Sequence, residues 1–131
     1  MLKTKKILFQ IENNIDSVIA GDTTLGHDLW HILIGQHYAD IAMLLSKLEA
    51  EQQLALFKKF AKDLSVKIFR KLPQAQQAPL LIVLNLDHAA YILKGMPADE
   101  LTDLFDYLSD EDLDKYLRLL QLNQRNKILS L

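Results

Sequence analysis

The residues best suited to chemistry lie in the stretch "PADELTDLFDYL", Pro97 to Leu108, which contains four acids and no base. Wound as an α-helix at about 100° per residue, the stretch separates into two faces. One face is acidic, with Asp99, Asp103 and Asp106, and the opposite face is apolar, with Leu101, Leu104, Phe105 and Leu108. Like charges three or four residues apart repel each other by about 0.2–0.5 kcal/mol per pair. This row therefore costs free energy unless something positive faces it.

Carboxylate oxygens are the ligands that a hard divalent cation such as Mg²⁺ or Ca²⁺ prefers. The helix dipole accounts for part of the row, since it favours Asp99 and Glu100 in the first turn by about 0.3–1 kcal/mol. Asp103 and Asp106 lie beyond that turn and need another explanation. One helix face supplies only one or two ligands, so water or another domain would complete the shell. A solvated helix face without any ion is the alternative interpretation.

A second candidate is "HDLWH", in which His27 and His31 lie four residues apart, a spacing that can hold zinc. No third ligand is predicted beside them, and the glutamate of an HExxH metalloprotease is missing. We therefore interpret both as surface or core-edge histidines, with Trp30 as a packing anchor. The sequence also lacks a nucleophile motif, a phosphate-binding glycine loop and a dinucleotide fingerprint, which predicts that the protein is not an enzyme.

The composition limits the class of protein. A chain of 131 residues, 50% hydrophobic and 24% charged, is typical of one globular domain. The net charge of −2 gives no overall basic surface for nucleic acid. The absence of cysteine excludes disulfides, thiolate zinc sites and a cysteine nucleophile. The longest apolar stretch, "APLLIVLNL", is far shorter than the roughly 20 residues of a membrane span, so we expect no membrane insertion by these residues.

From His37 onward the sequence divides without a gap into units of twelve residues. The eighth and ninth positions are apolar in every unit, and the twelfth is apolar in all seven complete units. The paired positions are Leu44-Leu45, Leu56-Phe57, Ile68-Phe69, Leu80-Leu81, Ile92-Leu93, Leu104-Phe105, Tyr116-Leu117 and Ile128-Leu129. Because an i, i+1, i+4 stripe is a helical pattern, each unit is predicted to be a short helix and a tight connection.

Three residues that open units support this division. Pro73 and Pro97 stand where a missing N–H costs nothing, and Ser109 is a good N-cap. Short helices are unstable alone and must stack on their neighbours. The predicted fold is therefore an all-α superhelical solenoid of about ten short helices, of undetermined hand. Pro79 is expected to shorten or kink its helix and to leave "LLIVL" as a buried end.

The first 36 residues are less regular. "TKKILFQIENNIDSVIA" is predicted to form one longer amphipathic helix, "AGDTT" a turn, and "TLGHDLWHILIG" a second helix that ends near Gly35. No linker divides the chain. We therefore predict one domain over residues 1–131, with lead-in helices in 1–36 and repeat units in 37–131.

Charge is distributed unevenly along the repeat units. The middle is basic, and we interpret its lysines as a solvated or intramolecular face because exposed aromatic residues are not interleaved with them. Between Gly95 and Asp114 there are eight acids and no lysine or arginine. Patches of opposite sign suggest a polar surface for a partner. The basic residues are Lys58, Lys59, Lys62, Lys67, Arg70 and Lys71.

The repeat units resemble the intracellular N-terminal domain of the MgtE family of magnesium transporters, whose repeats begin with "HPADIA-ELLEEL". The lead-in "VIAGDTTLGHDLWHIL" is also similar to the family's helix–"GD"–helix start. Repeats of this kind occur in flagellar motor switch proteins too, so single motifs are not specific, but the similarity covers nearly the whole chain. The matching residues are His37, Ala39, Asp40, Ile41, Ala42, Leu44, Leu45, Leu48, Leu56 and Phe57.

The resemblance implies a right-handed superhelix on the cytoplasmic side of the cell membrane. In the family it is followed by paired cystathionine-β-synthase (CBS) domains, a connecting helix and a transmembrane pore, in a homodimer. None of these parts lies within the 131 residues, so we expect an excised or isolated regulatory domain. The resemblance further implies that magnesium bound between the N domain and the CBS domains neutralises their acids and holds the channel closed.

The resemblance also implies a ligand set. The family's acidic pair falls on Asp99 and Asp103 of "DELTD", and Asp106 is a further candidate. An earlier family acid falls on Lys67, which removes one expected ligand. The hypothesis is a cytosolic magnesium-sensing domain that binds Mg²⁺ weakly or not at all in isolation. The alternative is a helical-repeat interaction scaffold with no metal role.

Overall fold

The computed structural model describes residues 2–120. These residues form ten α-helices joined by short connections and contain no strand. The prediction of an all-α fold of about ten short helices is therefore confirmed. The superhelical course over the whole chain stays a prediction, and the unit at 121–131 lies outside the described residues.

Contacts between Cα atoms divide the chain into two compact units, which meet in the sequence between Ala61 and Lys62 and are described separately below. The first unit contains α1 (Leu2–Asn13), α2 (Ile15–Ala20), α3 (Thr24–Ile34), α4 (Tyr38–Ser46) and α5 (Ala50–Phe57). The second contains α6 (Lys62–Lys71), α7 (Gln74–Val83), α8 (Leu86–Lys94), α9 (Ala98–Phe105) and α10 (Asp110–Leu119). The prediction of a single domain remains open.

The twelve-residue spacing sets where the helices begin. From α4 to α10, each helix starts at the second residue of a unit. The first residue often supplies the N-cap: His37, Asn85 and Ser109 each accept a hydrogen bond from a backbone N–H of the first turn. Glu49 and Gln52 form a capping box at α5. These contacts satisfy donors that a helix N-terminus otherwise leaves unpaired.

The paired apolar positions form the core, as the pattern predicts. The eighth and ninth residues are buried in all seven units between His37 and Leu120, except for a half-buried Leu117. The twelfth residue is buried or half-buried throughout. The fifth position is also buried in every unit except that of Leu113, which is half-buried, and the apolar pattern does not reveal this.

Three consecutive units carry a polar residue at this buried fifth position: Gln53, Ser65 and Gln77. Gln53 Nε2 donates to the Leu45 carbonyl at 3.0 Å, and Gln77 Nε2 donates to the Phe69 carbonyl at 2.8 Å. Both bonds run from the fifth position of one unit to the ninth position of the unit before it. Since a buried amide is costly without partners, the bonds permit these glutamines in the core.

The N-terminal segment is divided at Asn14, so the prediction of one long helix is wrong. Asn14 has φ −117° and ψ 26°, and its Nδ2 donates to the Gln10 carbonyl at 2.8 Å. Its backbone N–H donates to Ile11, three residues back, which tightens the turn. The asparagine side chain thus competes with the helical hydrogen bonds, and a new helix begins at Ile15.

Pro79 does not shorten its helix, contrary to one part of the prediction, whereas a kink at Pro79 stays a prediction. Helix α7 has ten residues with Pro79 inside it, the same length as α6. Within "LLIVL", Ile82 and Val83 are 42% and 57% exposed, so the segment is not a continuous buried end. These two residues occupy the tenth and eleventh positions, which are exposed or half-buried in every described unit.

In the second compact unit, which begins at Lys62, α6 packs on α8 and α7 packs on α9. One polar contact in the first of these pairs joins Ser65 and His88, whose Nε2 lies 3.1 Å from Ser65 Oγ. Ser65 Oγ donates to the Lys62 carbonyl, so it accepts from the imidazole N–H. Burial, followed by the positive charge of Lys62, lowers the pKa of His88 below 6.5.

In the first compact unit, which ends at Ala61, α2 and α3 approach closely at Gly26, which is buried. Its backbone N–H donates to Thr23 Oγ1 at 3.0 Å, the N-cap contact of α3. A Cβ atom at this position would overlap the Ser17 carbonyl group of α2. The helix contact therefore requires a residue without a side chain.

We expect Gly26→Ala to lower the free energy of unfolding by about 1–3 kcal/mol, because backbone must move to admit the methyl group. Gly35→Ala is the matched control, since its Cβ would meet only ordinary contacts at 3.5 Å or more. The control should change stability by less than about 0.5 kcal/mol. Urea denaturation of both variants measures the difference, and equal stabilities would contradict the described packing.

We expect the stability of the fold to decrease as the pH falls below about 6.5, partly through His88. The folded state lowers the pKa of His88, so below the ordinary value the unfolded chain binds the proton more readily. His88→Gln removes the titration and retains a hydrogen-bond donor for Ser65. Denaturation at pH values on either side of 6.5 should show a smaller loss in His88→Gln than in the wild type. An identical loss would show that His88 does not contribute.

Candidate functional site

Helix α9 places the acids and apolar residues on separate faces. Pro97 is its N-cap, and Leu101, Leu104 and Phe105 are buried. The candidate ligands lie on the other side, with Asp99, Asp103 and Asp106 all exposed. The structure thus puts all three predicted carboxylates on one solvent-facing surface, which we call the acidic face (Asp99, Asp103 and Asp106).

Glu100 differs from the three aspartates because Arg70 binds it. Arg70 Nε donates to Glu100 Oε1 at 3.0 Å, and its Nη2 donates to Oε2 at 2.8 Å. This two-point contact joins α6 to α9. None of the ion pairs among residues 2–120 involves a residue of the acidic face. Within residues 2–120, one acid of "DELTD" is therefore compensated by an ion pair and the other two are not.

Asp106 stands at a position that helix electrostatics disfavours. It is the C-cap of α9, where its backbone N–H donates to the Leu104 and Thr102 carbonyls. The C-terminus of a helix carries partial negative charge, so a carboxylate there is unfavourable. A structural role in α9 therefore does not explain this acid.

The acids of α10 have a local explanation instead. Asp110, Glu111 and Asp112 lie in its first turn, at the positive end of the helix dipole. Ser109 caps the helix by accepting from the Asp112 N–H at 3.2 Å. Lys115 Nζ lies 3.9 Å from Asp112 Oδ1. These contacts make the first turn of α10 a weaker candidate for an ion site than the acidic face.

The acidic face fits a hydrated divalent cation but does not enclose one. Exposed carboxylate oxygens are suitable ligands for Mg²⁺, which usually retains several waters in proteins. Within residues 2–120, no group of three or more His, Cys, Asp or Glu side chains is arranged to hold a metal ion. Asp99 and Asp103, one turn apart, can supply two ligands or two water-mediated contacts, and the remaining ligands must come from elsewhere.

Some basic residues of the two compact units make contacts within the chain. In the first unit, Lys59 Nζ donates to the Val18 and Ile19 carbonyls at 2.7 and 3.1 Å and lies 4.7 Å from the centre of the Trp30 ring. It thereby stabilises the C-terminus of α2. In the second unit Arg70 binds Glu100, whereas Lys67 is exposed on α6. Lysine rather than an acid thus occupies the exposed position on which the earlier family acid falls.

His27 and His31 are both exposed on α3, which agrees with their interpretation as surface histidines. Sequence reasoning missed the Ser65–His88 contact and the buried glutamines. A signal was present, because the fifth position of four consecutive units carries no charged residue; these residues are Gln53, Ser65, Gln77 and Ala89. The apolar stripe alone gave no reason to examine that position.

None of the helices within residues 2–120 is both long and apolar enough to span a membrane. A sequence model of the MgtE intracellular N domain matches residues 36–131, which is most of the chain. No curated protein matches the sequence significantly. The match begins one residue before the first twelve-residue unit, so it covers the repeat whose helix starts and buried positions are described above. The chain therefore belongs to the family of the MgtE intracellular N domain, the cytosolic domain of MgtE magnesium transporters.

Proposed function

We propose that this domain senses cytosolic magnesium for a transporter, and that its acidic face docks on CBS domains through bridging Mg²⁺. The observation that supports this most strongly is the contrast within α9. Glu100 is bound by Arg70, whereas Asp99, Asp103 and Asp106 are exposed and outside every described ion pair. In a family of transporter domains, rather than enzymes, an uncompensated acidic surface favours regulation by a cation.

Electrostatic repulsion would act as the switch. The like charges of the acidic face cost little in the free domain. Because water screens them, their repulsion is only about 0.2–0.5 kcal/mol per pair. Docking against a second acidic surface brings more charges together and removes water, which increases the repulsion. The docked arrangement is therefore unfavourable at low magnesium.

Magnesium would reverse this preference. With hydrated cations between them, the acidic face and an acidic CBS surface attract each other instead of repelling. A ligand shifts a conformational equilibrium only by its difference in affinity for the two states. Mg²⁺ meets that condition because Asp99 and Asp103 provide too few ligands alone and a fuller set when docked. The docked state then corresponds to the closed transporter.

Lys67 would modify this arrangement. Its exposed ammonium on α6 cannot bind a cation, and it repels one nearby. The proposal therefore assigns the ligands of this domain to Asp99 and Asp103, with Asp106 as a third acid, and assigns no ligand to α6.

The alternative function is a protein-interaction scaffold with no metal role. Exposed apolar residues around the α7–α8 connection favour it, since Val83 and Leu86 are 57% and 50% exposed. Surfaces of this kind often mark protein contacts. In that case the acidic face is only solvated, and neutralising it should leave transport regulation unchanged.

In the full-length transporter that contains this domain, Asp99→Asn with Asp103→Asn should raise the open probability at high cytosolic magnesium. The docked state would lose two of its ligands, while the exposed positions keep the fold intact. The control is Asp63→Asn with Asp87→Asn, which removes the same charge from α6 and α8. Patch-clamp recording across a magnesium series separates the two. A wild-type magnesium response in the first variant would refute the proposal and favour the scaffold.

The isolated chain should bind magnesium only weakly, with a dissociation constant of about 10⁻³ M or higher, similar to the weakest calcium modules. Two carboxylates on an exposed helix do not repay the dehydration of Mg²⁺. Isothermal titration calorimetry at low ionic strength measures this. A micromolar affinity would contradict the proposal that another domain completes the site.

A further inference from the structure

We propose that His27 and His31 form a two-histidine site for a transition-metal ion, with Cu²⁺ bound more tightly than Ni²⁺ or Zn²⁺. The site lies on α3 in the first unit, uses nitrogen ligands and is independent of the proposed magnesium response. The four-residue spacing alone did not favour this, because no third ligand was predicted. The structure adds the ring positions and the hydrogen bond that orients one ring.

The two imidazoles are already close to each other. Residues four apart on a helix project from the same face, and the His27 and His31 ring centres are 4.3 Å apart with a 40° angle between the rings. Two nitrogens bound to one tetrahedral zinc ion at 2.0–2.1 Å lie about 3.3 Å from each other. The observed ring separation is compatible with that nitrogen spacing, so side-chain rotations can complete the chelate without moving the helix.

The helix backbone fixes the tautomer of His31. Its Nδ1 lies 3.0 Å from the His27 carbonyl oxygen, which can only accept, so the proton is on Nδ1. In the neutral imidazole, Nε2 then carries the free lone pair that a metal requires. A histidine ligand usually donates its other N–H to a carbonyl or carboxylate, and His31 has this second contact before any metal arrives.

Asp28 provides a negative charge beside the pair. Its Oδ1 lies 3.7 Å from His27 Nδ1, and the two side chains are 67% and 63% exposed. At this distance the carboxylate makes no hydrogen bond to the ring, but its negative charge attracts a cation to the pair. The described residues place no third histidine or acid for coordination, so water would fill the other positions. The geometry describes an open, exchangeable site rather than a structural one.

The ligand chemistry determines which ions bind. Imidazole nitrogens suit copper, nickel and zinc, and affinity among divalent ions rises to a maximum at Cu²⁺. Magnesium prefers oxygen ligands and should not compete at this position. The first compact unit would therefore respond to transition metals, while the acidic face in the second compact unit responds to magnesium.

Trp30 supplies a specific signal for binding. It is the single tryptophan of the chain, it lies between the two histidines in the sequence, and its ring centre is 5.1 Å from that of Phe60. A Cu²⁺ ion held on α3 would quench its fluorescence at short range. The exposed histidines can be replaced while the Trp30 environment is retained.

The test is titration of the untagged chain with CuCl₂, NiCl₂ and ZnCl₂, followed by Trp30 fluorescence for copper and by calorimetry for all three. We expect one ion per chain, the order Cu²⁺ before Ni²⁺ and Zn²⁺, and no displacement by excess MgCl₂. His27→Gln and His31→Gln should each weaken Cu²⁺ binding by at least about tenfold, the minimum effect of losing even a supporting contact.

Two controls make the result specific. His37→Asn removes an exposed histidine outside the pair and keeps a good N-cap residue, so it should bind Cu²⁺ as the wild type does. Asp99→Asn with Asp103→Asn should also leave Cu²⁺ binding unchanged, which separates this site from the proposed magnesium face. Wild-type copper affinity in the His27→Gln, His31→Gln double variant would overturn the proposal, as would equal losses in His37→Asn.

Discussion

The twelve-residue period is the constraint on which the rest of this structure depends. It leaves each helix of the repeat between eight and ten residues, too short to be stable without packing on neighbours. The helix must therefore begin at once, with a cap at the first position, and bury its fifth, eighth, ninth and twelfth positions. The backbone also contributes to this packing, because the Gln53 and Gln77 amides each donate a hydrogen bond to a carbonyl of the preceding twelve-residue unit.

The same spacing explains why the exposed positions can carry residues of either charge. Positions that face solvent in every unit contribute little to the core, so their residues differ from helix to helix. Some of these charged residues make contacts within the chain: Arg70 forms an ion pair with Glu100, and Lys59 donates to a carbonyl near the end of α2. The acidic face has no such partner among the described ion pairs. A surface of uncompensated carboxylates in a transporter domain is the basis of the proposed response to magnesium.

The sequence predicted the parts of the fold that depend on a repeated pattern. Pairs such as Ile68-Phe69 are buried because they recur at fixed positions, and the exposure of Asp99 and Asp103 follows from the same periodicity. It did not predict local competition, such as the Asn14 side chain that divides α1 from α2. Nor could it show contacts made between distant residues, such as Arg70 with Glu100, or the orientation of the His31 ring.

We propose that a divalent cation acts at the acidic face, and not at acidic segments of the sequence in general. Amide NMR spectra of the ¹⁵N-labelled chain with substoichiometric Mn²⁺ test it most directly, because this paramagnetic substitute for Mg²⁺ broadens signals even at weakly occupied sites. We expect the broadening to centre on α9 between Asp99 and Asp106 and to be lost when excess Mg²⁺ is added. Equal broadening at α9, at the first turn of α10 and at Asp63 and Asp87 would contradict it.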